Sequence, residues 1–198
     1  MKNLLLSASL VASAILPSAA HAQAIPGAII AVVDLEKVTS QCTACKTASA
    51  SLRSQVTALQ SRQQALAGPL ETEGKAIQAA IDALNGKEPD AALKTRAQAW
   101  DAKRQQAAQE LQRQQQQVQQ NQQFVQKQVA EKLGPIYSQV MQRRGANIMV
   151  EIGQTLASGA TLDVTNDVLT ALNSALPTVA TTAPAAPAAR PQTQPQGR

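Results

Sequence analysis

The sequence predicts an α+β protein in which a long antiparallel helical coiled-coil hairpin projects from a small β-sheet base. Two observations indicate the hairpin. Apolar residues recur at alternating steps of four and three over 52–84 and again over 93–125, and the turn-forming stretch 85–90 separates the two runs. A third observation indicates the base, because short strand-like runs lie at 28–33 and 147–152, on either side of the hairpin.

Residues 1–22 have the features of a secretory signal peptide. A charged start precedes an apolar run over 4–16, and Ala20 and Ala22 supply the small residues of a cleavage site. The apolar run is too short for an ordinary transmembrane helix, and no cysteine stands at the cleavage site to carry a lipid. We therefore predict cleavage near Ala22 and a soluble, exported mature protein.

Strand and helix signals follow one another along the mature chain. Residues 28–33 are apolar on both faces, which is typical of a strand that is buried on both sides. Thr39 or Ser40 is predicted to cap the first helix. Gly68-Pro69 should kink this helix rather than end it, because the apolar seam resumes in phase after the proline.

The hairpin closes at Gly86 and Pro89, and Asp90 is predicted to cap the return helix. Fourteen glutamines lie between residues 105 and 128, a composition that is typical either of a disordered tract or of a helix. We favour a helix, because glutamine is a good helix former and the apolar positions recur every seven residues. The seam carries Gln63 and Glu73 in the first helix and more polar residues in the second, and a bend is expected near residues 134–135.

The C-terminal part alternates apolar and polar residues over 147–152, which predicts a strand. A two-residue turn should lead to a short return strand at 155–157. Thr165 is predicted to cap a helix over 166–173. Five prolines among Ala, Thr and Gln then predict a disordered tail over 177–198.

The predicted strands indicate self-association through the base. A single buried strand is unstable alone, so it must pair either with a later part of the chain, more than a hundred residues away, or with another subunit. We predict assembly through the base, and the homotrimeric state is what the family resemblance described below implies. The β-rich oligomerisation base comprises 23–45 and 145–176, and the arm comprises 46–144. The candidate oligomerisation residues are the apolar residues of the strands: Ile29, Ile30, Val32, Val33, Ile148, Val150 and Ile152.

The composition argues against several classes of enzyme. The only histidine, His21, is removed with the signal peptide, so the mature chain cannot hold a Ser-His-Asp triad or a histidine metal site. Aromatic residues make up 2% of the chain, which disfavours a base-stacking surface, and no Gly-rich phosphate loop is present. We expect a protein that is not an enzyme and has no cofactor, metal or nucleic-acid partner.

Cys42 and Cys45 are the residues most suited to chemistry. In an exported protein, two cysteines at this spacing can form a local disulfide, and a helix N-terminus lowers the thiol pKa, as in redox proteins. Free or intermolecular thiols and catalytic redox chemistry are the alternatives. The chain lacks the alternating strand and helix pattern of thioredoxin-type enzymes, and Lys46 stands where covalent haem attachment requires histidine.

Charge is distributed unevenly along the chain. The formal net charge is +5, and the arm carries fourteen Lys and Arg against eight Asp and Glu, whereas the base is acidic. Either the arm is an ordinary solvated surface, or it attracts an anionic partner such as an acidic polypeptide or an anionic lipid surface. The candidate steering residues are Lys87, Lys94, Arg96, Lys103, Arg104 and Arg113.

Two stretches resemble the OmpH/Skp family of periplasmic chaperones. Residues 29–38 (IIAVVDLEKV) resemble the first strand of that family, and residues 144–173 resemble its strand pair and the start of its last helix. The motif D-[IV]-T-x-x-[VI] at that helix start is represented by Asp163, Val164, Thr165 and Val168. The resemblance covers nearly the whole mature chain except the tail. The Gln-rich second helix, the cysteine pair and the tail depart from the family pattern.

The resemblance implies a trimer whose strands form a small β-barrel, with three hairpins around a cavity. Unfolded outer-membrane β-barrel proteins would be held there without ATP in the periplasm and passed to the outer-membrane assembly machinery. A structural coiled-coil spacer or adaptor of the cell envelope is the alternative, and a thiol-disulfide enzyme is a third.

Overall fold

The computed structural model describes residues 27–184; the predicted signal peptide and residues 185–198 of the predicted tail lie outside the described residues. The protein is mostly helical, with two long helices and a two-stranded sheet. The elements are β1 (Ile30–Val33), α1 (Leu35–Gln41), α2 (Thr43–Asp82), α3 (Ala91–Arg144), β2 (Ile148–Glu151) and α4 (Thr165–Ala175), with short 3-10 turns at Ile152–Gln154 and Ala160–Leu162.

Helices α2 and α3 form the predicted antiparallel arm. Leu70 of α2 lies beside Trp100 of α3, and Gln55, further back on α2, lies beside Asn121, further along α3. With 40 and 54 residues, the two helices are about 60 and 80 Å long. Both helices run without interruption through their internal prolines, Pro69 and Pro135.

The predicted seam lies between the two helices. All its positions except Gln63 and Arg104 are partly or fully buried. The fully buried seam positions between residues 52 and 125 are Ile77, Ala107 and Asn121. The seam is therefore thin, as expected for two helices that pack only against each other, and much of its apolar edge remains in contact with solvent.

Trp100 is the largest side chain of the seam, and the helix opposite accommodates it. Its Nε1 donates a hydrogen bond to the carbonyl oxygen of Leu70 at 2.8 Å. A Cβ atom at Gly74 would lie 2.9 Å from Trp100 Cζ2, so glycine leaves the space that the indole fills. The guanidinium of Arg104 lies 4.9 Å from the ring centroid and covers the indole.

Both ends of the hairpin have regular caps. Asp90 Oδ1 accepts a hydrogen bond from the Leu93 N–H at 2.8 Å, which confirms the predicted cap of α3. The turn before it uses Gly86 at φ 85°. Gly145, at φ 67°, ends α3 in the left-handed conformation that favours glycine.

The first helix begins earlier than predicted. Asp34 Oδ1 accepts a hydrogen bond from the Lys37 N–H at 2.7 Å and starts α1, so Thr39 and Ser40 lie inside a short helix and cap nothing. The long helix begins after Cys42, whose sulfur accepts from the Cys45 N–H at 3.2 Å. Aspartate is among the best N-caps, and the polar residues after it belong to a helix rather than to the end of the strand.

The sheet pairs the two predicted strands in parallel, with Ile30 opposite Ile148. On its other edge, β1 forms a bridge between Val32 and Asp163. The predicted return strand at 155–157 is wrong. The Thr155 N–H donates to the carbonyl oxygen of Ile152 at 3.0 Å, which closes a turn rather than extending a strand.

Two of the predicted strand residues lie outside the strands. Ile152 belongs to the 3-10 turn after β2, and Ile29 precedes β1, although its carbonyl oxygen accepts from the Asn147 and Ile148 N–H groups. The base is also less β-rich than predicted, because α1 and α4 supply much of its core. Val38, Val140, Val168 and Leu172 are fully buried where α1, α3 and α4 meet.

The start of the predicted disordered tail is ordered against the arm. Helix α4 ends at Ala175, slightly beyond its predicted end at residue 173 and before Pro177. Val179 then packs on the core of the base, and residues 180–183 form hydrogen bonds with α2 and α3. Glutamine, asparagine and serine side chains of the arm bind this segment. The composition of the tail did not indicate these contacts.

Candidate functional site

The motif at 163–168 joins the last helix to the first strand. The bridge between Asp163 and Val32 is reinforced by the Val164 N–H, which donates to the Val32 carbonyl oxygen at 2.9 Å. Val168 is fully buried one turn into α4. These residues therefore position the strand and the helix, and their role is architectural.

Thr165 does not cap its own helix, contrary to the sequence prediction. It is the first residue of α4, and its hydroxyl oxygen accepts a hydrogen bond from the Asp34 N–H at 2.9 Å. The Thr165 N–H donates to Asp163 Oδ1 at 2.8 Å. Hydrogen bonds from Thr165 lower the pKa of Asp163 below its ordinary value. At pH values above its ordinary pKa, this carboxylate therefore stabilises the folded protein. The stabilisation is lost as the pH falls through the lowered pKa of the folded state.

An apolar surface lies around the strands. Ile30 and Ile148 face each other across the sheet, yet 41% and 42% of their surfaces remain exposed. Within residues 27–184, β2 pairs on one edge only. We call this surface the apolar rim; it consists of Ile29, Ile30, Ile148, Ile152, Leu156 and Leu162.

The other candidate oligomerisation residues are placed differently. Val32 and Val33 are buried within the chain itself, and Val150 is half-buried. They therefore stabilise the fold of a single chain, whereas the rim residues are available to another molecule.

Cys42 and Cys45 form a disulfide at the start of α2. Both are buried in the core of the base, and the nearby Thr43 N–H donates to Asn173 Oδ1 at 2.9 Å, which ties α4 to the start of α2. A redox centre needs a sulfur that another thiolate can reach. Because both cysteines are buried, their disulfide is suited to a structural role rather than to a redox role.

Replacing both cysteines with alanine should lower the free energy of unfolding by about 2 kcal/mol, because the bond closes a loop of only four residues. Urea denaturation of the oxidised protein and the variant measures this difference. Reduced wild-type protein should behave like the variant. An oxidised protein no more stable than its reduced form would contradict a stabilising role.

The six candidate basic residues are all exposed, and they fall into two groups. Arg96 donates two hydrogen bonds to Glu73, at 2.7 and 3.1 Å, and thereby lowers the pKa of that carboxyl. Lys94 lies 3.7 Å from Glu88, and Arg104 lies 3.3 Å from Asp101. The other three of the six candidates form no ion pair within residues 27–184; they are Lys87, Lys103 and Arg113.

A row of polar side chains near the base of the arm was missed by the sequence analysis. Gln55 of α2 and Asn121 and Gln128 of α3 hold residues 180–183 against the arm. The available signal was Asn121, a buried asparagine at a seam position where an apolar residue is usual.

Residues 27–184 contain no candidate for a membrane-spanning helix and none for a metal-binding cluster. No helix there combines the length and the hydropathy needed to cross a membrane. The same residues contain no cluster of His, Cys, Asp and Glu side chains suited to a metal ion.

A family model described as "Outer membrane protein (OmpH-like)" matches residues 29–172. The chain belongs to the OmpH-like family. The matched range runs from the start of the sheet to the buried Leu172 of α4, and so includes the whole arm and the motif at 163–168. In this OmpH-like protein, residues 173–184 and the contacts of its tail with the arm lie beyond the matched range.

A solved structure has the same fold. It is a proposed outer membrane chaperone (OmpH-like) from Caulobacter crescentus CB15, with a TM-score of 0.64 and 20% sequence identity. The alignment covers 79% of this OmpH-like chain and 89% of the other. None of the curated proteins matches the sequence.

Proposed function

We propose that this OmpH-like protein is an ATP-independent holdase of the periplasm, which binds unfolded outer-membrane β-barrel proteins between its helical arms and prevents their aggregation. The observation that carries the proposal is the arm itself. It is about 80 Å long, has a thin seam and projects from a small base. Family membership and the similar structure described as an outer membrane chaperone support a chaperone role.

The proposal includes a homotrimer. The apolar rim and the second edge of β2, which is unpaired within the described residues, support association through the base. Exposed apolar residues beside an open strand edge favour pairing with another copy. Three bases would join their strands into a small barrel, and three arms would then surround one cavity.

Suppression of aggregation tests the function. An outer-membrane β-barrel protein unfolded in urea is diluted into buffer without ATP, with and without the protein, and light scattering is followed. A holdase keeps scattering low at a stoichiometric ratio. A structural spacer of the envelope leaves scattering unchanged, and that result would overturn the proposal.

Steering by the basic residues is a separate prediction. Replacing Lys87, Lys103 and Arg113 with glutamate changes the charge of each arm by six units without breaking an ion pair in the described chain. We expect capture of an acidic client to slow by roughly tenfold at low salt, because long-range attraction raises the association rate. Stopped-flow fluorescence of a labelled client measures the rate.

The matched control reverses three exposed basic residues near the base, Lys46, Arg53 and Lys132. This control should slow capture less, because it leaves the charge of the outer arm intact. Equal rates for both triple variants and the wild type at low salt would show that the basic residues are ordinary solvated side chains.

A further inference from the structure

Residues 178–184 run along the arm without forming a helix or a strand, and the chain bends at Thr182. Val179, Thr181 and Ala183 are half-buried toward the helices, whereas Ala180 and Thr182 between them are exposed. A two-residue alternation of this kind is the side-chain pattern of a β-strand. The segment therefore presents one face to the arm and the other to solvent.

The arm binds mainly the backbone of this segment. Gln128 pairs with both main-chain groups of Ala180: its Nε2 donates to the carbonyl oxygen at 2.8 Å, and its Oε1 accepts from the N–H at 3.0 Å. Gln55 Nε2 donates to the Thr181 carbonyl oxygen at 3.1 Å. The Ala183 N–H donates to Asn121 Oδ1 at 2.8 Å.

One further contact involves a side chain of the segment. The hydroxyl groups of Ser51 and Thr181 lie 3.0 Å apart. All the other hydrogen bonds described here join an amide side chain of the arm to a main-chain group, which every residue except proline can offer in full. The arm thus recognises the main chain of the segment more than its sequence.

The amide side chains are held in place by one another. Asn121 is only 4% exposed; its Oδ1 accepts from Gln117 Nε2 at 2.8 Å, and its Nδ2 donates to Gln55 Oε1 at 2.8 Å. Gln55 therefore directs its remaining N–H groups outward, to the bound segment. We call this arrangement, made of Gln55, Gln117, Asn121 and Gln128, the amide groove.

We propose that the amide groove is a sequence-independent binding site for an extended stretch of an unfolded polypeptide, and that residues 178–184 occupy it until a client displaces them. The proposal rests on the holdase function proposed above. Main-chain recognition fits such clients, because strands of a β-barrel differ in sequence but share an extended backbone and two-residue alternation.

The tether between α4 and residues 178–184 makes the chain its own competitor. A short linker gives a bound segment an effective concentration of roughly millimolar. A single weak peptide contact should therefore fail to open the groove, whereas a client held at several points of the arms can displace the segment.

The test weakens this competitor in the full-length protein. In the double variant Ala180→Pro and Ala183→Pro, the two main-chain N–H groups that donate to Gln128 and Asn121 are lost. The control is Thr182→Pro, since the Thr182 N–H donates no hydrogen bond within residues 27–184. The probe is a fluorescein-labelled peptide with the sequence of residues 176–184, followed by fluorescence anisotropy.

The double variant should bind this peptide about tenfold more tightly than the wild type, because two hydrogen bonds that hold the competing segment are gone. The Thr182→Pro control should bind it like the wild type. A peptide methylated at the two corresponding nitrogens should lose the gain. Adding Gln128→Ala to the double variant should also remove the gain, whereas Gln123→Ala, at an exposed glutamine of the same helix, should preserve it.

Equal peptide affinity in the double variant and the wild type would overturn the groove, and so would a gain that survives either Gln128→Ala or backbone methylation. The aggregation assay, run in parallel, separates the two proposals. Suppressed aggregation with unchanged peptide affinities rejects the groove and keeps the holdase. A tenfold gain in peptide affinity without suppression rejects the holdase and leaves a peptide site of another purpose.

Discussion

Replacing Val32 with aspartate is expected to unfold the base of the protein. Val32 is 2% exposed, and its strand lies between β2 and the bridge to Asp163. An unpaired carboxylate in this core costs at least about 3 kcal/mol. Urea denaturation followed by circular dichroism should show a large loss of stability, together with a loss of aggregation suppression.

Val32→Ala serves as the control, because it removes volume without adding a charge and should cost less. A Val32→Asp protein that unfolds at the wild-type urea concentration would show that the strand is not enclosed as the structure describes it.

Replacing Ile148 with aspartate is expected to dissociate the proposed trimer without unfolding the chain. Its side chain belongs to the apolar rim and is 42% exposed, so the new carboxylate stays hydrated in a free chain but is buried between copies. Sedimentation should show the mass of a monomer, and far-UV circular dichroism should retain the helical signal. Suppression of aggregation should be lost, since one arm alone encloses no cavity.

The matched control is Ile81→Asp, at an isoleucine that is 40% exposed near the far end of α2. It introduces the same charge at nearly the same exposure but away from the base, so the trimer should persist. An Ile148→Asp protein that sediments like the wild type would remove the rim from the assembly.

The arm was predictable because its signal is local. Apolar spacing fixes which face of each helix is buried, and the caps at Asp90 and Gly145 follow from neighbouring residues. The base was harder, because its pairing is not local. The Ile29 N–H bonds to an oxygen of Asn147, 118 positions later, and the sequence does not reveal that the two strands run in parallel.

The sites were predicted only in part. The cysteine spacing indicated the disulfide as one of several states, but burial on both sides was invisible in the sequence. Ion pairing divided the basic residues, since the contact of Arg96 with Glu73 depends on how the two helices align. The amide groove was missed because, apart from Asn121 at a seam position, neither the Gln-rich helix nor the Ala- and Thr-rich tail indicates in the sequence that the two bind each other.

The separation of the two strands by the entire arm has a consequence for the order of folding. β1 is made first, but its partner appears only after α2, the turn and α3, so the sheet cannot form while the arm is incomplete. Random closure of the long loop between β1 and β2 is slow. If α2 and α3 instead pack progressively from the turn at Gly86, their packing brings the two strands together. The indole of Trp100 fits opposite Gly74, so this contact favours one alignment of α2 with α3 while the helices pack against each other. A slip of one heptad along the seam would carry one strand about 10 Å past the other, so the alignment of the arm decides whether the base closes.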